Sequence, residues 1–202
     1  MMRTVPNRQS FISRVIAIDL IFLLFLVDQI SKCLVLGIVQ THLALARDAT
    51  ATPPAPPIFD FLEWITATHL PRLDFVAIPV TPFLNIVMVW NQGISFGLMS
   101  ENAGHGNILL MGLLGTIILG FGIWMMRTPR LATRLILAAI IGGALGNLWD
   151  RVRFGAVADF LDFHLFGWHY PAFNVADSLI VMGMIALIVY ELIWIHPASH
   201  KE

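Results

Sequence analysis

Asp159 and Asp177 stand on either side of the entrance to the last long apolar segment, in Gly155-Ala156-Val157-Ala158-Asp159-Phe160 and Phe173-Asn174-Val175-Ala176-Asp177-Ser178. Acids at the mouth of a membrane helix are costly to keep and invite a chemical explanation. Two carboxyls that meet cannot both ionise easily, so one proton is shared between them. That state suits hydrolysis: one carboxylate takes a proton from water while its protonated partner polarises a scissile carbonyl. Asn174 and Asp177 also have the spacing of an N-cap and an N3 acid opening a helix. Capping is compatible with catalysis, because a helix N-terminus favours negative charge. The expectation is an aspartyl peptidase at the membrane surface, with Asp177 as base and Asp159 as acid.

Other polar groups sit where lipid would penalise them. Asp28 and Lys32 are four apart, so a helix puts both on one face and lets them pair. The pair is either a structural ion pair or the border of a polar site. Asn147, Asp150 and Arg151 lie at the end of another apolar run, Gly142-Gly143-Ala144-Leu145-Gly146-Asn147-Leu148-Trp149-Asp150-Arg151. Arg151 is expected to hold Asp150 ionised, and Asn147 offers both a donor and an acceptor. Taken alone, this group also fits polar trim at a helix end.

These residues need a membrane scaffold to position them. Hydrophobic residues make up 57% of the 202-residue chain and charged ones only 12%, about half the charge of a soluble domain. Four runs, about 15–39, 107–126, 131–149 and 174–195, are long enough to cross a hydrocarbon layer of about 30 Å as helices. Arg3, Arg8 and Arg14 precede the first run, Arg127, Arg130 and Arg134 flank the second turn, and Lys201 lies near the end. By the positive-inside rule both termini are cytoplasmic and the two larger loops lie outside. The first run also resembles a secretory signal peptide, but Asp28, Gln29 and Lys32 interrupt it, so an uncleaved helix is expected. A net charge of −1 argues against a nucleic-acid partner. Cys33 is the only cysteine and reads as a buried packing residue.

Between the first two spans, Ala-Thr-Pro-Pro-Ala-Pro-Pro at 51–57 reads as a surface loop. Phe59, Phe61, Leu62, Trp64 and Ile65 follow as an amphipathic patch, either an interfacial helix or a loop packed on the outer face. The run at 83–89 is rich in β-formers and ends in Trp90-Asn91-Gln92-Gly93, so a small β element is expected there. Glycines 112, 115, 120 and 122 in the second span, and 142, 143 and 146 in the third, leave room for close helix contact.

Gly93-Ile94-Ser95-Phe96-Gly97 matches a serine-hydrolase pattern, but that motif needs an α/β sheet that four membrane spans do not supply. The histidines form no His-Glu-x-x-His, so no metal site and no cofactor are expected. A small transporter or proton relay would also place acids in a bundle, although the paired spans share no repeated motif. A non-enzymatic assembly factor would tolerate Asp159→Asn.

The chain resembles the lipoprotein signal peptidases, or signal peptidase II. The likeness runs from about Asp28 to Ile195 and rests on Asp28-Gln29-Ile30-Ser31-Lys32, Asn91-Gln92-Gly93-Ile94-Ser95-Phe96, the run at 142–151, Val157-Ala158-Asp159-Phe160 and Phe173-Asn174-Val175-Ala176-Asp177-Ser178. The resemblance implies a single-domain, all-α membrane protein, with four transmembrane helices and a small extracytoplasmic β-cradle, in the bacterial inner membrane. It implies chemistry without metal: cleavage of prolipoproteins before their diacylglyceryl-modified cysteine, with membrane lipids as neighbours; a monomer is expected. Asp159 and Asp177 match the family's catalytic dyad. Asp28, Lys32, Asn91, Gly93, Asn147, Asp150, Arg151, Asn174 and Ala176 match the residues that surround and support it. Ser95 stands where the family commonly has Ala, and the Pro-rich stretch lengthens the outer segment.

Overall fold

The computed structural model describes residues 8–48, 61–69, 73, 75–93 and 103–195. The Pro-rich stretch at 51–57, Phe59, Asp60, Ser95, Phe96, Arg3 and Lys201 lie outside the described residues.

Among the described residues, four helices are long and apolar enough to cross a membrane. These are α1 (Arg8–Arg47), α3 (Ala103–Arg127), α4 (Leu131–Phe154) and α5 (Val175–Tyr190), the last continuing as a π-helical turn over Glu191–Ile195. α1 has 40 residues, so at about 1.5 Å per residue it is roughly 60 Å long, twice the hydrocarbon thickness. It extends past the expected 15–39 at both ends, since no proline interrupts the chain from Arg8 to Arg47. α4 runs five residues beyond the expected Trp149, to Phe154, where Gly155 stops it in a left-handed conformation (φ 69°).

α4 is the central helix, against which α1, α3 and α5 all pack. Its glycines make this possible. A Cβ on Gly142 would lie 3.0 Å from Leu24 Cβ of α1, and one on Gly143 would lie 2.6 Å from the Ala176 carbonyl of α5. One on Gly146 would run into the Asp28 carboxylate. The expectation for the second span fails: Cβ atoms on Gly112, Gly115, Gly120 and Gly122 would meet nothing within 4 Å. Those glycines face away from the bundle and bring no helix closer.

The β element is larger than the sequence indicated, a four-stranded antiparallel sheet in the order β1-β2-β3-β4. Its strands are β1 (Ile78–Thr81), β2 (Leu84–Asn91), β3 (Val157–Leu165) and β4 (Trp168–His169). β2 and β3 pair with Val89 opposite Asp159 and Asn91 opposite Val157. Phe173 bridges back to Leu161, which ties the start of α5 to the middle of β3. The amphipathic patch forms a short helix, α2 (Phe61–Thr66), seated through buried Trp64 against Trp90 and Phe154. Cys33 is buried in the same apolar cluster as Trp64.

Candidate active site

α5 opens with the expected capping box. The Asn174 side chain accepts from the Asp177 N–H at 2.9 Å, and the Asp177 carboxylate accepts from the Asn174 N–H at 3.2 Å. The same Asn174 uses its amide nitrogen in the other direction, donating to Asp159 Oδ1 at 2.7 Å and to Asn147 Oδ1 at 3.1 Å. Asn147 then donates to Asp177 Oδ1 at 2.7 Å. The two acids are therefore held from one asparagine pair, each fixed by an amide, and both line one cavity of about 210 Å³. Asn91, Asn147 and Arg151 supply further polar lining, and Leu110, Leu113, Leu114, Val157 and Ile180 the apolar walls.

Asp159 lies on β3, 2% exposed. Its second oxygen accepts from Asn91 Nδ2 at 2.9 Å. Burial pushes its carboxyl up to about 6 and the negative charge of Asp177 adds to this, while the amides of Asn91 and Asn174 and the charge of Lys32 oppose it. Burial prevails because neutral amides replace only part of the lost hydration. Gly93 turns the chain out of β2 at φ 105°, where only glycine is unstrained, and its N–H donates to Asn91 Oδ1 at 2.9 Å. Gly93 thereby fixes the amide that holds Asp159, and a Cβ there would strike Leu110.

Beneath the acids lies a buried charge network. Lys32 Nζ is 2.8 Å from both Asp28 Oδ2 and Asp150 Oδ2, and donates to Asn147 Oδ1 at 3.3 Å. Asp28, Lys32 and Asp150 are each 0% exposed. Such burial is tolerable only with balanced charge and complete hydrogen bonding. The remaining cation is Arg153, 3.1 Å from Asp150 Oδ1 and lying over the Trp64 and Phe154 rings. This corrects the expectation that Arg151 holds Asp150, because adjacent residues on a helix do not face each other. Arg151 instead donates to Asn107 Oδ1 at 3.5 Å and faces the cavity. Asp28 Oδ1 accepts from the Ala176 N–H at 3.0 Å, so the support ascribed to Ala176 comes from its backbone. That bond satisfies an otherwise orphaned donor in the first turn of α5.

Two participants escaped the sequence reading. Gln29 donates to Asp28 Oδ2 at 3.1 Å and Asp150 Oδ1 at 3.0 Å, and accepts from Trp64 Nε1 at 3.2 Å and Arg153 Nη2 at 2.9 Å. Its position inside an apolar run was the available signal. Arg153 sits three residues from Asp150, the spacing of a helical ion pair. Among the described residues, no group of three or more His, Cys, Asp or Glu is placed to hold a metal ion.

The family model described as signal peptidase (SPase) II matches residues 20–193, which include every one of these side chains. The chain belongs to the signal peptidase II family. The lipoprotein signal peptidase of Anaplasma phagocytophilum (strain HZ) is 37% identical over 158 residues, covering 78% of this chain and 92% of that relative. That of Acinetobacter baylyi is 42% identical over 134 residues, covering 65% and 74%. A bacterial membrane enzyme solved by the in meso method is similar at a TM-score of 0.55 and 21% identity, covering 100% of this chain and 98% of the other. At that identity the likeness speaks to the fold alone. Signal peptidase II membership makes the chain a peptidase of lipoprotein processing, with prolipoproteins as its substrates.

Proposed function

We propose that this signal peptidase II hydrolyses the peptide bond before a diacylglyceryl-modified cysteine, using Asp159 and Asp177 as an aspartyl dyad without metal. The observation that carries this reading is the bridge from Asn174 to both acids at the mouth of one cavity. The raised Asp159 carboxyl, at about 6, makes it the group that keeps the shared proton and polarises the scissile carbonyl. Asp177 then takes a proton from water as the oxygen attacks the carbonyl carbon. The tetrahedral intermediate collapses as the amine of the modified cysteine leaves with that proton. Asn91, Asn147 and Asn174 hold the carboxyls in position.

Substrate arrives through the bilayer. Leu110, Leu113, Leu114 and Ile180 form the apolar wall beside the acids and suit the lipid chains, while the signal segment lies among the spans. The site sits near the outer face, with both termini cytoplasmic, in a monomer whose whole length is one domain. The test is incubation of the detergent-purified protein, with a chelator present, with a prolipoprotein in lipidated and unlipidated forms. The expected result is a product beginning at the lipidated cysteine and slow cleavage of the unlipidated form. Equal cleavage of both forms, or activity lost to the chelator, would overturn the reading.

A further inference from the structure

Alternate residues of β3 share a face, so Asp159, Leu161, Phe163 and Leu165 point to one side of the sheet. Asp159 on that side meets a cavity walled by Leu110 and Leu113 of α3 and Ile180 of α5. This face is therefore turned toward the membrane helices. Farther along β3 it passes beyond the bundle and becomes exposed, with Phe163 at 39% and Leu165 at 57%.

The exposed part is a continuous row of rings. Phe83 stacks on Phe163 at 6.5 Å between centroids, Phe163 on Phe173 at 5.8 Å, Phe173 meets Tyr170 at 5.9 Å, and Tyr170 meets Trp168 at 6.1 Å. Phe173 immediately precedes Asn174, the N-cap of membrane-spanning α5. The row is thus continuous with the surface where a helix enters lipid. At the hairpin tip Phe166 is 99% exposed at φ 52°, followed by Gly167 at φ 82°. Two positive φ values make the tight hairpin turn that Asn-Gly normally fills. A phenylalanine there accepts backbone strain while leaving its ring bare. On the other side of the sheet the hairpin is clipped by His169 Nδ1 to Asp162 Oδ1 at 2.8 Å, and Asn85 donates to Asp162 at 2.9 Å.

We infer that the aromatic face of the sheet and the tip of the β3–β4 hairpin rest in the headgroup region of a phospholipid bilayer. Tryptophan and tyrosine favour that boundary because their rings are apolar and their edges polar. An exposed apolar patch of this kind needs a partner, and the adjoining spans fix lipid as that partner. Docking of the hairpin would set the height of Asp159 at the plane where a lipidated cysteine meets water. The inference rests on the membrane reading and not on the dyad.

The test places a nitroxide label on Phe166→Cys in phospholipid nanodiscs and measures relaxation by oxygen and by a water-soluble nickel complex. Leu119→Cys, on a 65% exposed position of α3, gives the bilayer reference, and labelled wild type gives the background of buried Cys33. The expected result is a loss of nickel accessibility toward the Leu119→Cys value, with oxygen accessibility retained. High nickel accessibility would place the tip in water, and low accessibility to both reagents would mean a protein partner. Either outcome overturns the inference, and neither depends on catalysis.

Discussion

Replacing Asp159 by Asn should stabilise the protein at neutral pH while removing its activity. The carboxyl is raised from 3.8 to about 6, first by burial. Between those values the folded state binds more protons than the unfolded one, so stability falls as pH rises and levels off above about 6. At about 1.4 kcal/mol per pH unit, ionised Asp159 costs the folded protein about 3 kcal/mol above pH 7. An asparagine carries no such charge, but its NH2 faces one of the two amides that donate to Asp159, forfeiting about 1 kcal/mol. The variant should therefore be about 2 kcal/mol more stable than wild type above pH 7, raising Tm by roughly 4–8 °C for a chain of this size. Below about pH 4 the sign reverses and the variant is about 1 kcal/mol less stable. Thermal unfolding in one detergent from pH 4 to 8 measures the difference directly. A difference that does not change with pH, or one that favours wild type increasingly as pH rises, would contradict a carboxyl raised by burial.

Lys32→Met leaves Asp28 and Asp150 buried around a missing cation, and should cost about 3–5 kcal/mol, read as a large drop in Tm. Gly143→Ala forces a methyl against the Ala176 carbonyl and should destabilise by about 1–3 kcal/mol, whereas Gly115→Ala, with open space around it, should not lower Tm. Asn174→Ala removes both the helix cap and the bridge between the acids; it should lose about 1 kcal/mol of stability and on the order of a hundredfold in kcat. Ser95→Ala should leave kcat/KM near the wild-type value, since the proposed chemistry uses no serine nucleophile.

The membrane spans were legible because lipid imposes a long, nearly uncharged run that sequence displays directly. The capping box was legible because its partners are three residues apart. β3 carried its own signal, the alternation of Leu161, Phe163 and Leu165 with Asp162 and His164, but its pairing with β2 depends on contacts across some seventy residues of chain, such as Val89 opposite Asp159. For the same reason the amides that serve Asp159 could not be assigned from its neighbours in sequence. Asp150 was given the adjacent Arg151, whereas helical geometry hands it Lys32 from α1 and Arg153 one turn on. Glycine count misled in α3, because a small residue shows only that a close approach is permitted.

The dyad is tested most directly by the rate of cleavage of a diacylglyceryl-modified prolipoprotein by wild type, Asp159→Asn and Asp177→Asn, each shown to be folded by its unfolding transition. The dyad requires both variants to lose on the order of a thousandfold or more. A folded variant at either position that cleaves at the wild-type rate would contradict it.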